Sequence, residues 1–94
     1  MENKRYKISS NFALSKVSGE AVILPVSDSV DNLGNLYVIN ETAEFVIERI
    51  SKGMNVEEIV VDLMNEYDVD RDRAMANVVT LVEGFVERGF LEEL

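Results

Sequence analysis

Carboxylates are the side chains best placed to do chemistry in this sequence. Glu57, Glu58, Asp62 and Glu66 give one short stretch four acids and no base, and Asp68-Val69-Asp70-Arg71-Asp72 mimics the opening of a calcium-binding loop. A carboxylate pair can serve as general acid and base, but nothing nearby supplies a nucleophile, a cofactor cradle or a set of metal ligands. The Asp-rich run lacks the Gly and the distal Glu at the offsets an EF-hand requires. The chain contains no His and no Cys. That removes the usual general base, the thiolate nucleophile, the zinc finger and the disulfide framework. Catalysis is the least favoured reading, and no cofactor or metal is expected. The four acids then have two roles open to them: a solvated face that keeps the chain soluble, or a surface that steers a basic partner. Asp62 and Glu66 repel each other at i,i+4, which slightly weakens their helix.

The acidity is localised. The 94 residues carry a net charge of −9. Residues 1–40 balance four acids against four bases, whereas residues 41–94 hold fourteen acids and five bases. Such a balance disfavours a phosphate backbone as partner, because nucleic-acid affinity comes largely from Lys and Arg. No apolar run approaches the roughly 20 residues that span a bilayer. The basic stretch at the start has no apolar segment after it, so it does not read as a signal peptide. These observations lead to the expectation of a soluble, cytoplasmic protein, with a flexible basic tail over residues 1–10 and a single domain over residues 11–94.

The elements that must position any site change character near residue 40. Before it the period is two: Phe12, Leu14 and Val17 suggest one strand, Ser18-Gly19 a turn, Ala21-Val22-Ile23-Leu24 a second strand ending at Pro25, and Leu36-Tyr37-Val38-Ile39 a third. Residues 27–35 form a polar connection with a turn at Asn32-Leu33-Gly34-Asn35. After residue 40 the period is helical. Asn40 is a suitable N-cap, Ala43, Val46, Ile47 and Ile50 recur on one face, and Gly53 ends that helix. Asn55-Val56-Glu57-Glu58 has the form of a capping box opening a second helix. Asp70 caps a third, from about Arg71 to Arg88, ending at Gly89. The spacing predicts an α+β domain, a three-stranded antiparallel sheet followed by three helices, with a winged helix-turn-helix-like arrangement.

At this point the order of short motifs becomes specific. The stretch Leu36-Tyr37-Val38-Ile39-Asn40-Glu41-Thr42-Ala43, then Val56-Glu57-Glu58-Ile59, Tyr67-Asp68-Val69-Asp70 and Glu87-Arg88-Gly89-Phe90-Leu91, resembles the coenzyme PQQ synthesis protein D family over about residues 12–94. Asn55 stands where the family more often has Thr, and the connection over residues 27–35 is longer than usual. The resemblance implies a non-catalytic peptide chaperone, the recognition element of ribosomal-peptide modification systems. Such a domain binds the leader part of a precursor peptide and presents it to a modifying enzyme, which in PQQ biosynthesis is a radical S-adenosylmethionine protein. It also implies that the leader adds as a strand to the third strand, in a groove against the last helix.

The residues can be weighed against that implication. Strand addition needs an open edge, and the third strand of a meander is one. Leu36, Tyr37, Val38 and Ile39 carry neither charge nor proline; the alternative is a short edge covered by the last helix. On that helix, Val78, Leu81, Val82, Phe85 and Phe90 are expected in the core. A flanking stripe of Met75, Val79, Val82 and Val86 either lines the peptide groove or is covered by the sheet. Phe45 lies off the apolar face of its helix, either as a contact for a partner or packed beneath a neighbouring segment. The peptide-binding candidates are thus Leu36, Tyr37, Val38, Ile39, Met75, Val79, Val82 and Val86. The weaker partner-docking candidates are Phe45, Glu57, Glu58, Asp62 and Glu66. A second copy of the chain is a further candidate partner, since an open edge can pair with its own kind. The competing class is a winged-helix DNA-binding regulator. Its reading helix would offer Arg71, Arg73 and Arg88 against Asp72, Glu83 and Glu87, where a DNA reader needs a surplus of positive charge.

Overall fold

The computed structural model describes residues 4–26 and 37–94; Leu36 and the connection over residues 27–35 lie outside them. Eight elements follow in order: β1 (Tyr6–Ile8), β2 (Phe12–Val17), β3 (Glu20–Pro25), β4 (Tyr37–Ile39), α1 (Glu41–Ser51), α2 (Val56–Glu66), α3 (Arg71–Glu87) and β5 (Leu91–Glu93). The antiparallel sheet β2-β3-β4 precedes three helices, as the change of period predicts.

Local chemistry accounts for the boundaries. Ser18 and Gly19 both have positive φ, at 52° and 83°, which is the signature of a two-residue type I′ hairpin. The Oδ1 of Asn40 accepts from the Ala43 amide at 2.8 Å. At Asn55 the capping box is complete: its side chain accepts from the Glu58 amide, and the Glu58 carboxylate accepts from the Asn55 amide, both at 2.9 Å. Asp70 accepts from the Arg73 amide at 2.8 Å. Helix α3 closes in a Schellman motif, with the Phe90 amide donating to Phe85 and the Gly89 amide to Val86. Gly89 takes the left-handed φ of 82° that this motif needs.

That closure determines what comes next. The turn at Gly89 carries Phe90 into a cluster of rings, 4.9 Å from Phe12, 5.2 Å from Tyr37 and 5.9 Å from Phe85 between centroids. Phe90 therefore joins the end of α3 to both β2 and β4. The main core lies between the sheet and the helices, built from Ala21, Ile23 and Ile39 on the sheet and from Val46, Ile47, Ile59, Leu63, Val78 and Val82 on the helices.

The first residues depart from expectation. In place of a flexible tail through residue 10, Tyr6–Ile8 forms a strand paired antiparallel with β5, Tyr6 opposite Glu93 and Ile8 opposite Leu91. Tyr6 and Leu91 are both buried in the core, so apolar burial holds the segment down. Lys4 forms an ion pair with Glu93 at 3.0 Å, the Leu94 amide donates to the Arg5 carbonyl, and the Arg5 guanidinium donates to the Gly53 carbonyl.

Candidate functional site

The backbone of β4 can be assigned group by group from the hairpin. Val17 lies opposite Glu20 across a two-residue loop, and residues flanking such a loop exchange both of their backbone hydrogen bonds. The alternation of antiparallel pairing then turns the polar groups of Glu20 and Val22 toward β2, and those of Ala21 and Ile23 toward β4. Ala21 is opposite Ile39 and Ile23 opposite Tyr37, with Val22 opposite Val38 between them. Tyr37 and Ile39 are consequently the bonded residues of β4. The N–H and C=O of Val38 point the other way, to an outer edge that no strand covers among the described residues.

Side chains alternate in the opposite sense. Ile39 is buried and faces the core with Tyr37, whereas Val38 is 56% exposed on the outer face.

A cleft of about 270 Å³ runs along this edge. One wall is Tyr37, Val38, Ile39 and Asn40, continued by Ala43 at the start of α1; the other is Thr80, Leu81, Gly84, Phe85 and Arg88 of α3. A second concavity of about 350 Å³ prolongs it along α3 to Ala76 and Asn77, sharing Asn40, Thr80 and Leu81 with the first. Gly84 makes the middle of the cleft wide. A mid-helix Gly costs about 1 kcal/mol relative to Ala, and here it leaves room for Arg88: a Cβ at Gly84 would come within 3.3 Å of Arg88 Nη1. The Arg88 guanidinium lies over the Tyr37 ring, 5.3 Å from its centroid, and donates to the Gly84 carbonyl at 3.4 Å. At the far end of β4 a larger concavity is lined by Lys16, Glu20, Glu41 and Glu44, with Lys16 bound to Glu44 at 2.8 Å. The arrangement can accept an extended backbone at Val38 and seat alternate side chains against α3.

Comparison with known proteins follows from this geometry. The family model for coenzyme PQQ synthesis protein D matches residues 20–91. The chain belongs to that family. The match begins at β3, so β1 and β2 lie outside it. Two solved structures share the fold. One is "Lasso peptide synthetase B1 complexed with the leader peptide", with a TM-score of 0.78 and 20% identity, covering 94% of this chain and 98% of that one. The other is "TbiB1 in Complex with the TbiA(beta) Leader Peptide", with a TM-score of 0.76 and 21% identity, covering 92% of this chain and 94% of that one. No curated protein sequence matches.

In this member of the PQQ synthesis protein D family, the structure brings together some of the residues singled out from the sequence and separates others. Tyr37, Val38 and Ile39 line the cleft. Met75, Val79, Val82 and Val86 do not. Val82 is 0% exposed in the core, Met75 and Val79 pack partly against the core, and Val86 is exposed elsewhere. At about 100° per residue, Met75, Val79 and Val86 sit on one side of the buried Ala74/Val78/Val82/Phe85 face, and Asn77, Thr80, Gly84 and Arg88 on the other. The apolar flank is thus the wrong flank for the cleft. Leu81, expected in the core, packs against it while partly exposed, and also lines the cleft. Thr80, Gly84 and Arg88 were not foreseen as site residues. Their signal was a glycine inside a helix with a residue four positions to either side on the same face.

The docking candidates resolve into local structure. Phe45 is buried, edge-on to Tyr67 at 5.6 Å and beneath the Arg49 guanidinium, so it is not an exposed contact for a partner. Glu57 binds Arg71 at 2.7 Å, and this hydrogen bond and charge hold its carboxyl below the ordinary value. Glu58 completes the capping box and lies 3.5 Å from Arg5. Asp62 binds Arg49 at 3.1 Å, which relieves its repulsion with Glu66. Burial, followed by the charge and hydrogen bond of Glu41, raises the Tyr67 hydroxyl above its usual value. Among the described residues no His, Cys, Asp or Glu cluster is arranged to hold a metal ion, and no helix is long and apolar enough to cross a membrane.

Proposed function

We propose that this chain binds the leader segment of a ribosomally made precursor peptide as an added strand on β4 and presents it to a modifying enzyme. The observation that carries this reading is the conjunction of an outward-facing N–H and C=O at Val38 with a cleft between β4 and α3. Strand addition uses main-chain hydrogen bonds for affinity and pockets for alternate side chains for selectivity, and β4 with α3 offers both. Family membership and the leader-bound state of the two structural relatives support the choice of peptide. The enzyme implied by the PQQ resemblance is a radical S-adenosylmethionine protein, and the chain itself acts without catalysis, in keeping with a sequence that has no His and no Cys.

The DNA-binding alternative is the weaker reading: Arg71 is paired with Glu57 and Arg88 lies over Tyr37 in the cleft, which leaves Arg73 alone of the three arginines exposed without such a contact among the described residues. A second copy of the chain would compete for the same edge, so any dimer paired through β4 should dissociate when peptide is added. Titration of the labelled protein with a synthetic leader, followed by amide spectra, tests the reading. Shifts should centre on residues 37–39 and on Thr80, Leu81 and Gly84. Shifts confined elsewhere, or no binding at millimolar peptide, refute it.

A further inference from the structure

We infer that Arg88 makes the cleft selective for a peptide carrying an acidic side chain opposite Tyr37; this rests on the peptide-binding reading above. The chain is strongly acidic, yet no carboxylate lines the cleft between β4 and α3, and its one charged side chain is Arg88. Arg5, Arg49 and Arg71 each have a carboxylate within ion-pair distance. Arg73 and Arg88 have none among the described residues, and of these two only Arg88 lines the cleft; its contacts are the Tyr37 ring and one long hydrogen bond to Gly84. A guanidinium carries five donors in a planar fork suited to a carboxylate. Stacking on Tyr37 and the space left by Gly84 hold that fork at the β4 wall without consuming it.

The register locates the acid. For a peptide added antiparallel to β4, the residue paired with Val38 exchanges backbone hydrogen bonds there and points its side chain to the outer face, as Val38 does. Its neighbour opposite Tyr37 points into the cleft, in a non-bonded pair where side chains approach most closely. That neighbour meets the guanidinium. The ligand is therefore an extended peptide with Asp or Glu adjacent to the residue bound at Val38.

The test is selection of random dodecapeptides displayed on phage against the wild-type protein and against Arg88→Gln and Arg88→Glu, with amide spectra of each protein confirming its fold and the Val38 shift on binding. Wild type should enrich Asp or Glu at one fixed position. Replacing that acid by its amide should weaken binding about tenfold at low salt and change it less than about twofold in Arg88→Gln. Arg88→Glu should enrich Lys or Arg at the same position. If enriched peptides shift Val38 but show no acid preference, or an acid preference indifferent to Arg88, the inference falls and the peptide reading stands. If no peptide is enriched, or those enriched shift only residues away from β4, both fall.

Discussion

Replacing Val38 by proline isolates the backbone contribution to the proposed site. The pairing register turns the Val38 N–H away from β3 and toward the open edge, so proline removes a donor that the sheet does not use. Edge strands tolerate proline where the lost N–H faces outward, and Tyr37, as the residue before it, already occupies the extended region that proline demands. The folded domain should therefore change little in stability. Binding should change a good deal. The peptide carbonyl that would accept from Val38 is left without a partner in a partly enclosed cleft, which costs about 1–3 kcal/mol and weakens affinity about 5- to 150-fold. Val38→Ala provides the control: it keeps the N–H and trims a side chain that is more than half exposed on the outer face, so its affinity should stay within about twofold of wild type. Calorimetric titration with a synthetic leader, alongside urea unfolding of each variant, measures both quantities. Equal affinities for Val38→Pro and Val38→Ala, with both variants folded, would refute the reasoning from register to edge donor.

Three other outcomes follow from named contacts. Phe90→Ala removes the ring that touches Phe12, Tyr37 and Phe85 and should lower the unfolding free energy by about 3–5 kcal/mol; a loss below about 1 kcal/mol in urea melts would show that the cluster does not fasten α3 to the sheet. Gly84→Leu should fill the cleft and weaken leader binding more than about tenfold while thermal stability is kept or raised, because Leu is the better helix former; unchanged affinity would place the peptide elsewhere. The Glu57 carboxyl is held down by Arg71, so its bond stabilises the fold above the unfolded carboxylate value and is lost as the pH falls through the lower folded value. The urea midpoints of wild type and Glu57→Gln should differ slightly at pH 7 and converge once the pH has fallen through the lowered folded value; a gap that persisted in stronger acid would remove the ion pair as its cause.

The sequence and the structure agree where local chemistry decides. The change from period two to period 3.6 at Asn40, the three N-caps and the glycines after α1 and α3 locate the meander and the helices to within a residue or two. The pairing of β1 with β5 was hidden because each is three residues long and they meet from opposite ends of the chain. Alternation over Tyr6-Lys7-Ile8 is too short to distinguish from a tail. The site was half legible. The uncharged edge strand pointed to β4 as the candidate edge, but apolarity pointed to Met75, Val79 and Val86, which lie on the far side of α3 from the cleft. Apolar side chains on a helix report where the fold packs, whereas a cleft that must stay open is lined by what fails to fill it. Here that is Thr80 and Gly84, with Arg88 over Tyr37 at one end. Of the two roles open to Phe45, the structure shows packing: its ring is covered by Arg49, one turn on along α1, and by Tyr67 from beyond α2, which the periodicity of α1 does not reveal.

The most direct test of strand addition is hydrogen exchange of the β4 amides, measured residue by residue with and without a synthetic leader. In the free protein the Tyr37 and Ile39 amides face β3 and should be protected, while the Val38 amide faces outward and should exchange freely. The account predicts that saturating leader slows exchange at Val38 and gives cross-strand contacts between Val38 and the peptide backbone, leaving Ala21 and Ile23 as they were. A Val38 amide that exchanges equally fast in the complex would contradict it.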